Sequence, residues 1–189
     1  MNKQKSRIKQ ARTLRIFRKI HRSMGAFLFI FFFVVSTSGI LLGAKKNSNG
    51  FILPETTSGT TSNFNQWKSV AQLELIARKT LRDSVASSLS TEIDRIDIRK
   101  EKGIVKFLFK EHIYEIQLDG ATGNVLSIGQ RRSDVIENIH DGSIVDDYLD
   151  TGGYFKLIYS VSMGIALLLF TITGFWLWYG PKKLRKSGR

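Results

Sequence analysis

Three histidines are the side chains of this 189-residue chain best suited to hold a metal or a cofactor. A neutral imidazole nitrogen is a ready ligand for metal ions and for haem iron. His21 sits in RKIHRSMGAF, beside Arg18, Lys19 and Arg22 and just before a long apolar run. It is either a ligand or an interfacial residue that meets lipid phosphate. His140 sits in NIHDGS and is either a ligand or a hydrogen-bonded turn residue with Asp141, Gly142 and Ser143. His112 falls between two predicted strands, where an exposed, inert histidine is expected. The chain has no cysteine, which excludes disulfides, thiolate metal sites and cysteine nucleophiles. It also lacks G-x-S-x-G, P-loop, G-x-G-x-x-G and His-x-x-Glu-His patterns. Ser143, His140 and Asp141 are neighbours in sequence, but a triad is defined by geometry. Asp146, Asp147 and Asp150 offer oxygen ligands without the spacing of a known calcium loop, so a solvated acidic face is expected there.

Two elements must position these histidines. The runs from Ser23 to Ala44 and from Leu157 to Gly180 carry no charge. About 20 apolar residues cross a hydrocarbon core of about 30 Å, and both runs suffice. The first is longer than the apolar region of a signal peptide and lacks an A-x-A-like cleavage site, so an uncleaved helix is expected. Gly39 and Gly43 form a G-x-x-x-G pattern, and Ser160, Gly164, Thr171 and Gly174 place small residues along the second run. Together they favour packing of the two spans, or of two copies. Trp176, Trp178 and Tyr179 at one end and Tyr154 and Tyr159 at the other read as an aromatic belt, and Pro181 is expected to end the helix.

The net charge of +13 is not spread evenly. Residues 1–22 hold nine Lys/Arg and residues 182–189 hold five, with no acid in either stretch. All 16 acidic residues lie between Glu55 and Asp150. The positive-inside bias therefore puts both termini in the cytoplasm and residues 45–153 outside. Anionic lipid would attract both tails. No nucleic-acid-reading module accompanies them, so a nucleic-acid partner is not expected.

In the middle, residues 45–66 are rich in Ser, Thr, Asn and Gly and read as an irregular linker. Trp67, Val70, Leu73, Ala77, Leu81 and Val85 recur at helical steps, with Asn65 as a candidate cap. The period then becomes two: Ile96 and Ile98, then Val105, Phe107 and Phe109, then Tyr114, Ile116 and Leu118, and after DGATGN, Val125, Leu126 and Ile128. These predict half-buried strands, hence one helix over a small antiparallel sheet, with a marginal core at this size. Val135, Ile136 and Ile139 are spaced for a short amphipathic helix before Gly152-Gly153.

Four pieces carry a resemblance to the PepSY-associated transmembrane family. RKIHRSMGAFLFIFFFVVSTSGILL resembles its first span, with a basic residue, His, a Gly four residues on and a later Ser/Thr-Gly. YEIQLDGATGNVLSI is similar to the closing strands of a PepSY domain. NIHDGS resembles the family's His-containing segment, and TITGFWLWYGPKK its Thr-Gly-x-x-Leu-Trp exit. The resemblance covers residues 15–183. It implies a membrane α plus small α+β fold, with two transmembrane helices flanking an extracytoplasmic PepSY-like module of one helix and an antiparallel sheet. The expected organisation is a basic tail (1–22), span one (23–44), a linker (45–66), the PepSY-like domain (67–130), a His-containing connector (131–153), span two (154–180) and a second basic tail (181–189).

The resemblance also implies a bacterial inner-membrane protein acting in iron or siderophore handling or in haem-linked electron transfer. Larger members with four or more spans include ferric-siderophore reductases with haem b, so any catalysis here would be that of a reductase component. His21 and His140 match family positions and are the implied haem ligands. They belong to opposite ends of the membrane, about 30 Å apart, so one chain does not clamp one iron between them. A two-fold homodimer would face His21 with His21 and His140 with His140. The alternative is a non-catalytic module that binds a peptide or a membrane or extracytoplasmic protein, by strand addition at a sheet edge.

Overall fold

The computed structural model describes residues 2–186. Helix α1 spans Asn2–Gly43 and helix α5 spans Tyr154–Lys186. Between them come α2 (Val70–Ser84), strands β1 (Ile93–Arg99), β2 (Ile104–Phe109), β3 (Tyr114–Asp119) and β4 (Val125–Gln130), then α3 (Arg132–Asp141) and α4 (Ser143–Leu149). The chain divides into two compact units. One joins the first 38 residues to the chain from Asn138 onward, and the other is Gly39–Glu137.

Within the first unit, α1 and α5 are each long and apolar enough to cross a membrane, over Ile8–Gly43 and Tyr154–Lys183. The basic N-terminal stretch continues the helix of the first span. Pro181 does not end α5, which runs on to Lys186. Proline removes one N–H bond and crowds the carbonyl one turn back, a local defect that the remaining turns of a 33-residue helix absorb. The two helices pack antiparallel: Phe17 meets Trp176 at 6.2 Å between ring centroids, and Phe31 meets Tyr159 at 6.3 Å. A Cβ on Gly43 would meet nothing within 4 Å, and a close approach of the two helices lies elsewhere. It is at Gly180, where a Cβ would lie 2.4 Å from Leu14 Cδ2, and at Gly25, where one would lie 3.2 Å from Phe170.

The second unit is a four-stranded antiparallel meander in the order β1-β2-β3-β4. Leu73, Ala77 and Leu81, one stripe of α2, close on Val105, Phe107, Phe109, Ile116 and Leu118, all buried. The α2 cap is Ser69 rather than Asn65. Its hydroxyl accepts from Gln72 N–H while the Gln72 side chain accepts from Ser69 N–H, a capping box worth about 1 kcal/mol. Asn63 instead caps the short turn Phe64–Gln66.

The two central strands, β2 and β3, depart from the half-buried expectation. All six residues of β2 are buried, Lys106 included. The cover on the second face is the segment around residues 54–61. It is irregular, as its composition predicts, but it is strapped down rather than loose. Thr57 donates through N–H (3.1 Å) and Oγ1 (2.9 Å) to Gln117 Oε1, and Gln117 Nε2 donates to the Glu55 carbonyl at 2.8 Å. Gly59 N–H donates to the Lys102 carbonyl at 2.7 Å, and a Cβ on Gly59 would lie 2.1 Å from the Gly103 carbonyl oxygen. Only glycine permits that approach.

Under the strap lies a polar layer. Glu115, fully buried, accepts from Lys106 Nζ (3.1 Å) and Gln117 Nε2 (2.7 Å) on one oxygen and from Arg131 Nη1 (2.7 Å) on the other. Lys106 also donates to Thr56 Oγ1 at 3.0 Å, and Arg131 to both oxygens of Asp134. Among the described residues no buried side-chain polar atom lacks a partner.

Asp119 ties the strap to the β3–β4 turn. It accepts from the N–H groups of Thr60 (2.8 Å), Ala121 (2.8 Å) and Thr122 (3.1 Å) and from the Thr60 hydroxyl. Burial pushes its carboxyl pKa up, but these donors outweigh burial and hold it below the ordinary 3.8. A carboxyl depressed on folding stabilises the fold above its unfolded pKa and ceases to do so as pH falls through the folded value. Acid unfolding of this unit should therefore shift to higher pH in Asp119→Asn. Hydrogen exchange of the β3 amides across the acid range reads the effect, and an unchanged midpoint would contradict it.

Candidate functional site

Both candidate ligands lie in the first unit. His21 is carried on α1, four residues before Gly25, and α5 meets it with Thr173, Gly174 and Phe170. Its ring packs on Phe170 at 3.8 Å between centroids, tilted by 32°, and a Cβ on Gly174 would lie 3.4 Å from its Cε1. His21 Nδ1 is 2.9 Å from Thr173 Oγ1. His140, near the end of α3, places Nδ1 2.9 Å from Ser38 Oγ on α1. Its partner is therefore a residue of the first span, not the Asp141-Gly142-Ser143 turn.

The hydroxyls bear on the tautomers. Thr173 Oγ1 lies 2.7 Å from the Leu169 carbonyl and Ser38 Oγ lies 2.6 Å from the Val34 carbonyl, each one turn back in its own helix. A hydroxyl has a single hydrogen and two acceptor lone pairs. With that hydrogen on the backbone carbonyl, the oxygen would face imidazole as an acceptor and Nδ1 would carry the proton. In both histidines the lone pair is then on Nε2, which makes no hydrogen bond within the described residues. Fixing Nδ1–H in this way is the outer-shell arrangement that orients a ligating imidazole and raises its basicity.

His112 is the contrast. Its Nε2 donates to the Ser90 carbonyl at 2.9 Å and its Nδ1 accepts from Tyr114 N–H at 3.3 Å. Both nitrogens are occupied, and the ring packs on Phe109 and Tyr114. It is half-buried rather than exposed, and its role is to close the β2–β3 connection.

The two ligand candidates do not converge. Ser38, which holds His140, follows His21 by 17 residues on α1, about 25 Å at ~1.5 Å per residue. Beside His140 is a groove of about 480 Å³, within the range of small-molecule and cofactor sites. Its walls are mostly apolar, with Phe32 and Val35 from α1 and Met163, Leu167 and Phe170 from α5. Gly164 leaves its wall low, since a Cβ there would meet nothing within 4 Å.

The neighbouring acids are structural. Asp141 accepts from the Ser143 hydroxyl (2.6 Å) and pairs with Lys156 (2.5 Å). Burial pushes its pKa up, and Lys156 with Ser143 outweighs that and holds it low. Ser143 is thus bonded to Asp141 rather than poised on an imidazole. Asp146 is buried, not solvated. It accepts from the Thr151 hydroxyl and from Phe155 N–H (3.0 Å) and Lys156 N–H (2.8 Å), and so caps the start of α5. Helix N-termini leave such N–H groups without partners and favour a carboxylate. Among the described residues no group of three or more His, Asp or Glu is placed to hold a metal ion.

Sequence reading selected both histidines but not Ser38 and Thr173. The signal was present, because each hydroxyl belongs to a Ser/Thr-Gly pair, Ser38-Gly39 and Thr173-Gly174. The family described as PepSY-associated TM region matches residues 2–186. No curated protein and no solved structure matches the chain.

Proposed function

The chain belongs to the PepSY-associated TM region family, and from that premise we propose that this double-pass membrane protein serves iron or siderophore handling by carrying electrons through haem b held by His21 and His140. The observation that supports this reading most is the repeated hydroxyl clamp. At two levels of one helix pair, a Ser or Thr oxygen bonded to its own backbone lies 2.9 Å from Nδ1, and with Nδ1 protonated Nε2 is left available. Haem supplies one-electron transfer when bound. This chain supplies imidazole ligands, the hydroxyls that orient them and apolar walls that exclude water.

Each level offers one imidazole to a haem. A two-fold dimer would add the same histidine of the other copy and would turn two spans per chain into a four-helix container. The two levels, about 25 Å apart, would divide most of a hydrocarbon core of about 30 Å. The charge asymmetry supports an orientation with the His21 level at the cytoplasmic face and residues 45–153 outside. Protein purified with haem supplied should show a Soret band that His21→Ala combined with His140→Ala abolishes. Colourless protein, or a band that survives both substitutions, would refute the reading.

A further inference from the structure

The second unit carries a basic groove that the haem reading does not use. It encloses about 960 Å³ along β1, and eight Lys or Arg but only two acids line it. The strap explains the opening. Its residues cover β2 and β3 through Thr56, Thr57 and Thr60, leaving β1 beside Leu53 and Thr56 as the uncovered floor. β1 is an edge strand that pairs with β2 alone. Residues from both of its faces line the same groove: Arg95, Asp97 and Arg99 from one, Ile96 and Ile98 from the other. The groove therefore follows the open edge, where backbone N–H and C=O groups await a partner.

Of the charges that line the groove, Lys106 and Arg131 are held by Glu115 in the buried layer; those nearer the surface are the ones a docked strand would meet. The side-chain ammonium groups of Lys45 and Lys46 have no ion-pair or hydrogen-bond partner among the described residues. Arg95 and Arg99 are 56% and 55% exposed, and their bonds to Asp134 (3.5 Å) and Asp97 (2.6 Å) are surface pairs of the kind worth little in water. Ile98 is exposed as well. A neutral or basic strand gains little at such an edge. An acidic one gains opposite-charge cross-strand contacts on one face and an apolar contact on the other.

We propose that the open edge of β1 captures an extended acidic polypeptide, alternating Asp or Glu with apolar residues, as a fifth strand. Backbone pairing supplies the affinity, and the alternating Arg and Ile positions set the specificity. The seven residues of β1 offer about 20 Å of edge at ~3.3 Å per residue. This inference is independent of haem.

The test uses the full chain in nanodiscs of zwitterionic lipid and labelled nine-residue peptides read by fluorescence anisotropy. An alternating Glu/Val peptide should bind, and its Lys/Val counterpart should not. N-methylation of alternate Glu/Val amides, which removes strand hydrogen bonds but keeps the charge, should weaken binding by about 10-fold or more, as should Arg95→Glu with Arg99→Glu. If that variant melts below wild type, Lys45→Glu with Lys46→Glu in the exposed turn makes the same test. The proposal is overturned if the Glu/Val peptide fails to bind or the N-methylated peptide binds as tightly. It is equally overturned if anionic lipid in the nanodisc abolishes peptide binding, since the groove then holds headgroups.

Discussion

Glu115→Ala should destabilise the Gly39–Glu137 unit by about 3–5 kcal/mol, the usual cost of breaking a buried ion pair from one side. Glu115 is fully buried and accepts three hydrogen bonds, two of them from cations. Without it, Lys106 Nζ keeps only Thr56 Oγ1 in a site that is 4% exposed at the side chain. The loss is a large share of the ~5–15 kcal/mol that holds a domain folded. A paired replacement separates charge from packing. Lys106→Met with Glu115→Leu removes both charges together and should cost less than Glu115→Ala alone, because no uncompensated ion remains. Hydrogen exchange of the β2 and β3 amides measures both. Equal losses in the single and paired variants would show that shape, not charge balance, sets the stability of this layer.

Ser38→Ala and Thr173→Val should each weaken haem binding at one level by about 10–100-fold, the usual effect of removing an outer-shell partner of a ligating histidine. Each substitution removes the acceptor that fixes Nδ1–H, so the imidazole can rotate or change tautomer. Thr173→Ser keeps the oxygen and should retain most of the affinity. Haem titration followed by visible absorption distinguishes these variants. The hydroxyls act as positioning residues, so the ligand set and the number of haems bound at saturation should not change. Full affinity in both Ser38→Ala and Thr173→Val would mean that the clamps do not orient ligands.

Local periodicity made much of this fold legible. Leu73, Ala77 and Leu81 predict α2, and Val105, Phe107 and Phe109 predict β2, because one apolar face per element requires a period of 3.6 or two. The second face of β2 was not legible. Lys106 looks solvated in an alternating strand, and only a strap reaching back from residues some 50–60 positions away, Thr56, Thr57 and Thr60, buries that face. Asp146 likewise looks like surface charge until α5 places two N–H groups against it. At the candidate site, His21 and His140 stand out by residue type and by the family pattern. Their clamps join residues 152 and 102 positions apart, a separation that no local pattern encodes. The Gly beside each hydroxyl marks it only once the packing of the helices is known.

The most direct measurement is the ratio of haem to protein in purified wild type, His21→Ala, His140→Ala and the double variant. Two haems shared by two copies predict one haem per chain in wild type, half that in each single variant and none in the double. Wild-type protein without haem, or single variants that match wild type, would contradict the account.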